Sequence, residues 1–334
     1  MAENNIGSIY TLLDVLRRTA PGNDQMMFIA EVLSRDNPIV KEAPILEANQ
    51  ALSHMGLRRT SLPTVQKRAI NDGVPKSTSK TTPVTAPMSL FETMSQVDEE
   101  ALRLAPNAVQ FRQDEDAAFI EAMAQSLADE VFYGSIGDDV LGFNGLATMF
   151  ASSTVRPNGD TTWPYNVQLG GGSGSDTTSI WAIEWGTRKT HLIYPKGTQG
   201  GLEYYDGGKQ LVSGVTASTQ FWAWISSFKW RCGLYVQDER TVQRIANIET
   251  AGASNIFDDD MLITALNRLP RMGRDPLTRI YVNRTILTQM EIRVKDKNNV
   301  NYTADNAFGQ QMLRFKGVPV QVCDAILDTE TAIS

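Results

Sequence analysis

The sequence predicts an α+β fold, and three observations predict it. One long amphipathic helix opens at Pro106-Asn107. Strand-like and helical segments follow it without the regular alternation of βαβ units. Ahead of it, residues 52–87 read as a long polar hairpin with too few apolar residues to bury a core of its own. The helix is the clearest element. Pro106 suits a first helical turn, Gly134 suits a stop, and Ile120, Met123, Leu127 and Val131 recur at +3, +4 and +4. Over 107–133 such a helix would span roughly 40 Å, well above ordinary helix length.

The other elements follow in chain order. Residues 1–50 read as an arm. Ile9, Leu12, Leu13 and Leu16 form one short stripe, and Met26, Met27, Ala30 and Leu33 form a second after Asp24. Each is about three turns, too short to be stable alone. Asn37-Pro38 and Ala43-Pro44 then favour extended backbone, because proline disfavours helix in the residue before it. In the hairpin, Asn71-Asp72-Gly73 is a turn signal between strand-like pieces, Thr64–Ile70 and Val74 onward. A connection this long within a compact domain is usually functional or disordered. Residues 152–178, with Gly170-Gly171-Gly172-Ser173-Gly174-Ser175 at their centre, read as a loop. Strands are expected over Ile180–Trp185, His191–Tyr194, Phe228–Gln237, Arg279–Asn283 and Val318–Cys323. Thr241–Glu249 reads as a short helix. Asp258 caps another, with Met261, Leu262, Ala265, Leu266 and Leu269 on one face and Pro270 closing it.

Composition narrows the function. The 334 residues carry a net charge of −7, and 42% are apolar, so the chain is globular rather than disordered. An acidic chain is repelled by phosphates and does not coat nucleic acid. Yet residues 52–87 hold Arg58, Arg59, Lys67, Arg68, Lys76 and Lys80 against Asp72 alone, a local balance of +5 that leaves −12 for the rest. Cys232 and Cys323 lie too far apart for a metal spacing and are too few for a disulfide framework, which suits a reducing compartment. His54 and His191 do not make a multi-histidine metal site. The start lacks the pattern of a signal peptide, and no apolar run reaches membrane-spanning length. The sequence therefore predicts a soluble protein of the cytoplasm.

Catalytic signals are weak, and no catalytic, cofactor-binding or metal residue is assigned. The Gly170–Gly174 run lacks a P-loop lysine and reads as a turn. Asp258-Asp259-Asp260 precedes an apolar periodic helix, so capping outweighs metal ligation. Asp238-Glu239 offers a carboxylate pair, but neighbours on a strand point to opposite faces, and a surface reading outweighs it. His191 reads as a packed or surface histidine. Asn283-Arg284-Thr285 and Asn301-Tyr302-Thr303 match glycosylation sequons, which mean nothing without a signal peptide. Trp222, Trp224, Phe228 and Trp230 suit a stacking platform, but more often mark core or interface. The informative features are architectural: an arm, a basic hairpin on an acidic body, and one very long helix. Together they suggest contact between identical copies, guided by complementary charge.

Several stretches, in order, resemble a known family. They are Arg59-Thr60-Ser61-Leu62-Pro63-Thr64 with Arg68 to Val74; Phe143-Asn144-Gly145-Leu146; Trp185-Gly186; Ile193-Tyr194-Pro195-Lys196-Gly197; and Gly200-Gly201-Leu202. Trp230 to Leu234, Asp238-Glu239-Arg240, Arg244 to Ile248, Tyr281 to Arg284 and Phe315 to Val320 continue them. Over nearly the whole chain the sequence resembles the major capsid proteins of short-tailed double-stranded DNA phages of the epsilon-fifteen type, with the Hong Kong 97 capsid fold.

The resemblance implies a non-enzymatic shell protein that assembles into hexamers and pentamers of an icosahedral head enclosing double-stranded DNA. It implies residues 1–50 as N-terminal arm, 51–92 as extended loop, 93–250 as peripheral domain with spine helix 107–133, and 251–334 as axial domain. In some relatives the strand order is permuted against the parent fold. Implied partners are further copies of the chain, portal, scaffold and decoration or cementing proteins, with double-stranded DNA enclosed without sequence-specific binding and no membrane. The implied location is the virion, assembled in the bacterial host cytoplasm. Contacts between copies are expected from Arg58, Arg59, Lys67 and Arg68 to acidic patches on neighbours. Two readings of other classes stand beside this one. One is a cytoplasmic α+β hydrolase with a carboxylate pair and 152–178 as its lid; the other is a carbohydrate-binding tail module using the Trp222–Trp230 aromatics.

Overall fold

The computed structural model describes residues 35–154, 166–214, 219–252, 254–294, 302–307 and 310–334. The two N-terminal stripes, residues 155–165 of the predicted loop and Asn301 lie outside these. The chain is a mixture of helix and sheet divided into two compact units. One holds Leu90–Leu127 and Gly201–Arg231; the other holds Asp36–Ser89, Ala128–Gly200 and Cys232–Ser334.

In the first unit, Asp98 caps helix α1 (Glu99–Leu104) by accepting the Glu100 N–H at 2.8 Å, and Arg103 pairs with Glu99 at 2.9 Å one turn back. The long helix α2 (Ala108–Tyr133) begins where Asn107 Oδ1 accepts the Gln110 N–H at 3.2 Å. The buried residues Val97, Ala101, Leu102 and Phe111 form a small core with Trp224 beside them. Strands β8 (Leu202–Ser213) and β9 (Gln220–Val236) make an antiparallel ribbon from Leu202↔Trp230 to Ser213↔Gln220. Trp222, Trp224, Phe228 and Trp230 share one face of β9 through the period of two. Phe228 is buried against Tyr204, Arg112 lies over Trp224 at 5.1 Å, and only Trp222, half exposed, stands at the surface under Lys209.

In the second unit, a seven-stranded sheet carries the core. Its order is β12 (Tyr302–Ala307), β13 (Gln310–Phe315), β14 (Val318–Val322), β11 (Thr278–Val282), β6 (Thr177–Glu184), β10 (Val242–Glu249) and β5 (Val167–Leu169). Every residue of β6 is buried. On one face Ile180, Ala182, Ile245, Ile280 and Val282 pack against Leu262, Ala265, Leu266 and Leu269 of helix α3 (Asp259–Arg268) and Ile286 and Met290 of helix α4 (Arg284–Val294). Elsewhere a buried ion pair fixes the end of the chain. Arg244 donates to Glu330 at 2.8 Å and to the Phe150 carbonyl at 2.9 Å, with Trp181 5.0 Å away, while Tyr133 donates to Glu330 at 2.6 Å. Breaking such a pair costs about 3–5 kcal/mol, because it strands a buried charge.

Two expectations need correction. Thr241–Glu249 is not a helix. A 3-10 turn at Glu239–Thr241 leads into strand β10, whose first seven residues are all buried. A strand covered on both faces has no period of two, so its apolar spacing imitates a helix. Between Pro38 and Pro44 the chain is not wholly extended but makes one helical turn, Ile39–Glu42, with Pro38 itself in helical backbone. Residues 36–50 pack on the rest of the unit. Strand β1 (Ile45–Glu47) runs parallel to β7 (Thr190–Tyr194), and Glu42 accepts from Arg279, Tyr281 and Gln321 at 2.9–3.0 Å. The stretch Ile193–Gly197 is what holds β1: Ala48 donates to the Tyr194 carbonyl at 2.8 Å and Gly197 to Glu47 at 2.8 Å.

The end of α2 explains another stretch. The Gly134 N–H donates to the Glu130 carbonyl at 2.9 Å, and a side chain there would meet the Phe143 carbonyl at 2.4 Å. Phe143 donates to the Glu130 carboxylate, Gly145 to the Gly134 carbonyl, and Asn144 accepts from Ile136. Phe143-Asn144-Gly145 is thus a cap for the long helix.

Candidate assembly surface

The hairpin forms as strand β2 (Ser53–Ser61) against β3 (Lys80–Pro87), in register from Ser53↔Pro87 to Arg59↔Thr81, with an irregularity before Ser61↔Lys80. The predicted strand pieces at Thr64–Ile70 and Val74 onward are not strands. Residues 62–79 carry no ladder. Ser77 donates to the Thr64 carbonyl at 3.1 Å, and the Asn71-Asp72-Gly73 turn closes through Asp72 N–H to the Ala69 carbonyl at 3.3 Å. Asn71 takes the left-handed conformation, φ 69°, which asparagine tolerates. Leu62, Val65, Ile70 and Val74 of this tip are exposed, Val65 and Ile70 by more than nine-tenths.

The hairpin's root is seated on the body of the same unit. Alternation sends His54, Gly56 and Arg58 one way and Met55, Leu57 and Arg59 the other. The first set is part-buried; the second is exposed. Gly56 lies over the Tyr235 ring so closely that a Cβ would sit 1.9 Å from the hydroxyl. Arg58 donates to the carbonyls of Val236 (2.9 Å) and Gln237 (3.1 Å) and to the Glu239 carboxylate (3.2 Å). His54, His191 and Tyr235 stack edge to face, with ring centroids 4.5–6.2 Å apart. Burial holds both histidines below their ordinary pKa, His191 at about 4. Burial likewise raises the Tyr235 phenol. Between root and body lies a cleft of about 1140 Å³, lined by Arg58, Arg59, Phe150, Tyr235, Asp238 and Arg240 among others.

The four basic residues singled out from the sequence therefore separate. Arg58 belongs to the root and its guanidinium is used within the chain. Arg59, Lys67 and Arg68 are exposed on the outer strand face and the tip. Glu239, expected at the surface, is buried and receives Arg58; Asp238 accepts the Arg240 backbone N–H and pairs with its guanidinium at 2.8 Å, and against the opposing effect of burial Arg240, helped by the charge of Arg58, holds its carboxyl below the ordinary range. Both carboxylates line the cleft, but each is tied to one of the chain's own arginines. Burial pushes both thiols, Cys232 and Cys323, up to about 12. Among the described residues no His, Cys, Asp or Glu cluster suits a metal, and no helix is long and apolar enough to cross a membrane.

The sequence did not reveal Gly56, Tyr235 or the meeting of the two histidines. Partners some 180 positions apart leave no local pattern. The inward-polar, outward-apolar alternation of 54–58 was the one available signal.

The model of the major capsid protein GP7 family matches residues 21–334. The chain belongs to that family. A chain of the cryo-EM structure of bacteriophage Epsilon15 superposes with a TM-score of 0.75 at 26% identity, covering 100% of this chain and 99% of that one. A chain of the bacteriophage JBD30 capsid reaches 0.52 at 13% identity, over 90% of this chain and 96% of that one. A search of curated proteins found no match. The fold is of the Hong Kong 97-like type. The protein has a structural role as a capsid subunit, assembles with copies of itself, and is a component of the virion. The hydrolase and carbohydrate-binding readings are not favoured.

Proposed function

We propose that this major capsid protein builds the hexamers and pentamers of an icosahedral head around double-stranded DNA, and that its hairpin tip completes its packing only on a neighbouring copy. The observation that carries this is the exposed apolar tip: Leu62, Val65, Ile70 and Val74 all stand in solvent, Val65 and Ile70 by more than nine-tenths. In this reading residues 1–50 are the arm, 51–92 the extended loop, 93–250 the peripheral domain with its spine helix, and 251–334 the axial domain. Portal, scaffold and decoration proteins join the shell, which assembles in the bacterial host cytoplasm without enzymatic activity of its own. Arg59, Lys67 and Arg68 steer the tip toward the acidic remainder of the neighbour. Apolar tip contacts, individually weak, let misplaced copies leave before closure.

The test is charge reversal, Arg59→Glu with Arg68→Glu, followed by sizing and negative-stain microscopy in low salt. Loss of particles with an unchanged melting temperature of the unassembled chain is expected. Normal particle yield would refute the steering.

A further inference from the structure

A second cluster of positive charge lies far from the hairpin in sequence. The chain leaves α3 through Met272 and Gly273, both in left-handed backbone, and loops to Thr278 at the start of β11. Facing this loop is the tight turn between β13 and β14, where Lys316 and Gly317 also have positive φ. Between loop and turn is a notch of about 380 Å³, lined by Arg274, Arg279, Arg314 and Lys316 with Asp275 as its one acid. That acid is already neutralised: Lys189 reaches it at 2.8 Å and Arg271 at 3.1 Å. Arg279 is matched by Glu42 at 3.0 Å. Arg274 and Lys316 remain exposed and make no side-chain hydrogen bond or ion pair among the described residues. Arg314 adds a third cation, its Nη1 3.5 Å from the Gly317 carbonyl. The same wall holds Thr278, 1% exposed, whose hydroxyl has no hydrogen-bond partner among the described residues. A buried hydroxyl without a partner is costly and rare.

We propose that this notch is a binding site for phosphate-class anions. Cations converging on one cavity of an acidic protein repel one another, Arg274 and Lys316 have no ion-pair partner among the described residues, and a multiply charged anion removes that repulsion. Planar guanidinium forks match phosphate oxygens two at a time, and the lysine adds a point charge. The notch has room for more than one phosphate group. Free polyphosphate and the phosphodiesters of a nucleic acid present the same chemistry to it. The site is read from these side chains alone and does not depend on the hairpin assignment.

The experiment titrates the full-length unassembled chain with pyrophosphate, and separately with a short DNA duplex, by calorimetry at fixed ionic strength. Saturable pyrophosphate binding is expected, weakened about tenfold or more by each of Arg274→Ala and Lys316→Ala. Both residues are exposed, so the variants should melt at the parent temperature when no anion is present. Duplex binding lost in the same variants would assign the site to phosphodiesters; pyrophosphate binding alone would assign it to a free anion. Absence of binding by both probes, or binding unchanged in the double variant, would overturn the proposal.

Discussion

The root and the tip of one hairpin share a composition and differ in everything else. Both are basic and rich in Ser, Thr and Pro. At the root, every second residue of β2 meets something: His54 a histidine and a tyrosine, Gly56 a hydroxyl, Arg58 two carbonyls and a carboxylate. Asn49 reinforces it, accepting the Met55 N–H at 2.9 Å and donating to its carbonyl at 2.6 Å. At the tip the chain turns through a few local bonds and leaves its apolar side chains in water. The difference teaches that local sequence does not order this segment; the surface beneath it does. The root borrows that surface from its own chain. The tip, by the reading above, borrows it from the next copy. Intact folding of the isolated chain and success of assembly should accordingly respond to different residues.

The largest expected effect on the isolated chain comes from closing the gap over Tyr235. Gly56→Ala puts a methyl 1.9 Å from the hydroxyl, so ring or strand must move. Overpacking of this kind costs about 1–3 kcal/mol. Thermal unfolding should report that loss, and limited proteolysis should cut within 53–87. Tyr235→Phe removes the nearest atom and leaves a 3.0 Å approach to the ring, so the double variant should recover most of the stability. Tyr235→Phe alone should be near neutral, because its buried hydroxyl has no hydrogen-bond partner among the described residues. An unaltered melting temperature for Gly56→Ala would mean that the root does not rest on Tyr235.

This contrast also marks what could be read from sequence. The long helix was legible from end to end, since periodicity, the Asn107 cap and the Gly134 stop agree. Three strands of the second half were placed to within a residue, β6 to within three and β9 by its C-terminal half, because β-branched and aromatic runs between turn residues announce them. Helix α4 was missed although Asn283 Oδ1 caps it, accepting the Ile286 N–H at 2.8 Å. The triplet Asn283-Arg284-Thr285 drew attention as a sequon instead of as a cap. Helix α1 was missed despite Asp98, Glu99 and Glu100 at its start. Strand β1 had no signal to find, because its order comes from β7, about 147 positions away. The hairpin's turn and charge were legible, but its division into seated root and bare tip was not. That division depends on Tyr235 and Glu239, which reach the hairpin only in three dimensions.

An effect of similar size is expected at Arg58. Its three hydrogen bonds involve a charged donor, and such bonds contribute about 1.5–3 kcal/mol net. Arg58→Ala should lower stability by an amount in that range. Arg58→Lys should keep the charge yet lose most of the effect, because an ammonium cannot fork across Val236, Gln237 and Glu239 at once. Hydrogen exchange sharpens the comparison. Amides of 53–59 should speed up in Arg58→Ala, while those of 62–79 should stay as fast as before. If tip and root accelerate together, the hairpin is one cooperative piece and the division fails.

The smallest effect is a dependence on pH, and its sign follows from the histidines. His54 Nδ1 accepts the Asn49 N–H at 3.3 Å, and His191 Nδ1 faces the Gly186 carbonyl at 3.2 Å. The first contact requires an unprotonated nitrogen, and burial keeps His191 neutral down to about pH 4, whereas the unfolded chain takes up the proton near 6.5. Between those values the unfolded state binds more protons. Stability contributed by His191 is therefore fully present above about pH 6.5 and lost progressively as the pH falls toward about 4. His54, also lowered by burial, acts in the same direction. Chemical denaturation at pH 7.5 and pH 5 should show the decrease, and His191→Gln, which titrates in neither state, should remove part of it. The protection of the Asn49 and Met55 amides, relative to their intrinsic exchange at each pH, should fall on acidification before that of the buried sheet, because protonating His54 cancels the bond that Asn49 makes to it. A slope untouched by His191→Gln would place the pH response outside the root, and the seat beneath the hairpin would then owe nothing to keeping its two imidazoles uncharged.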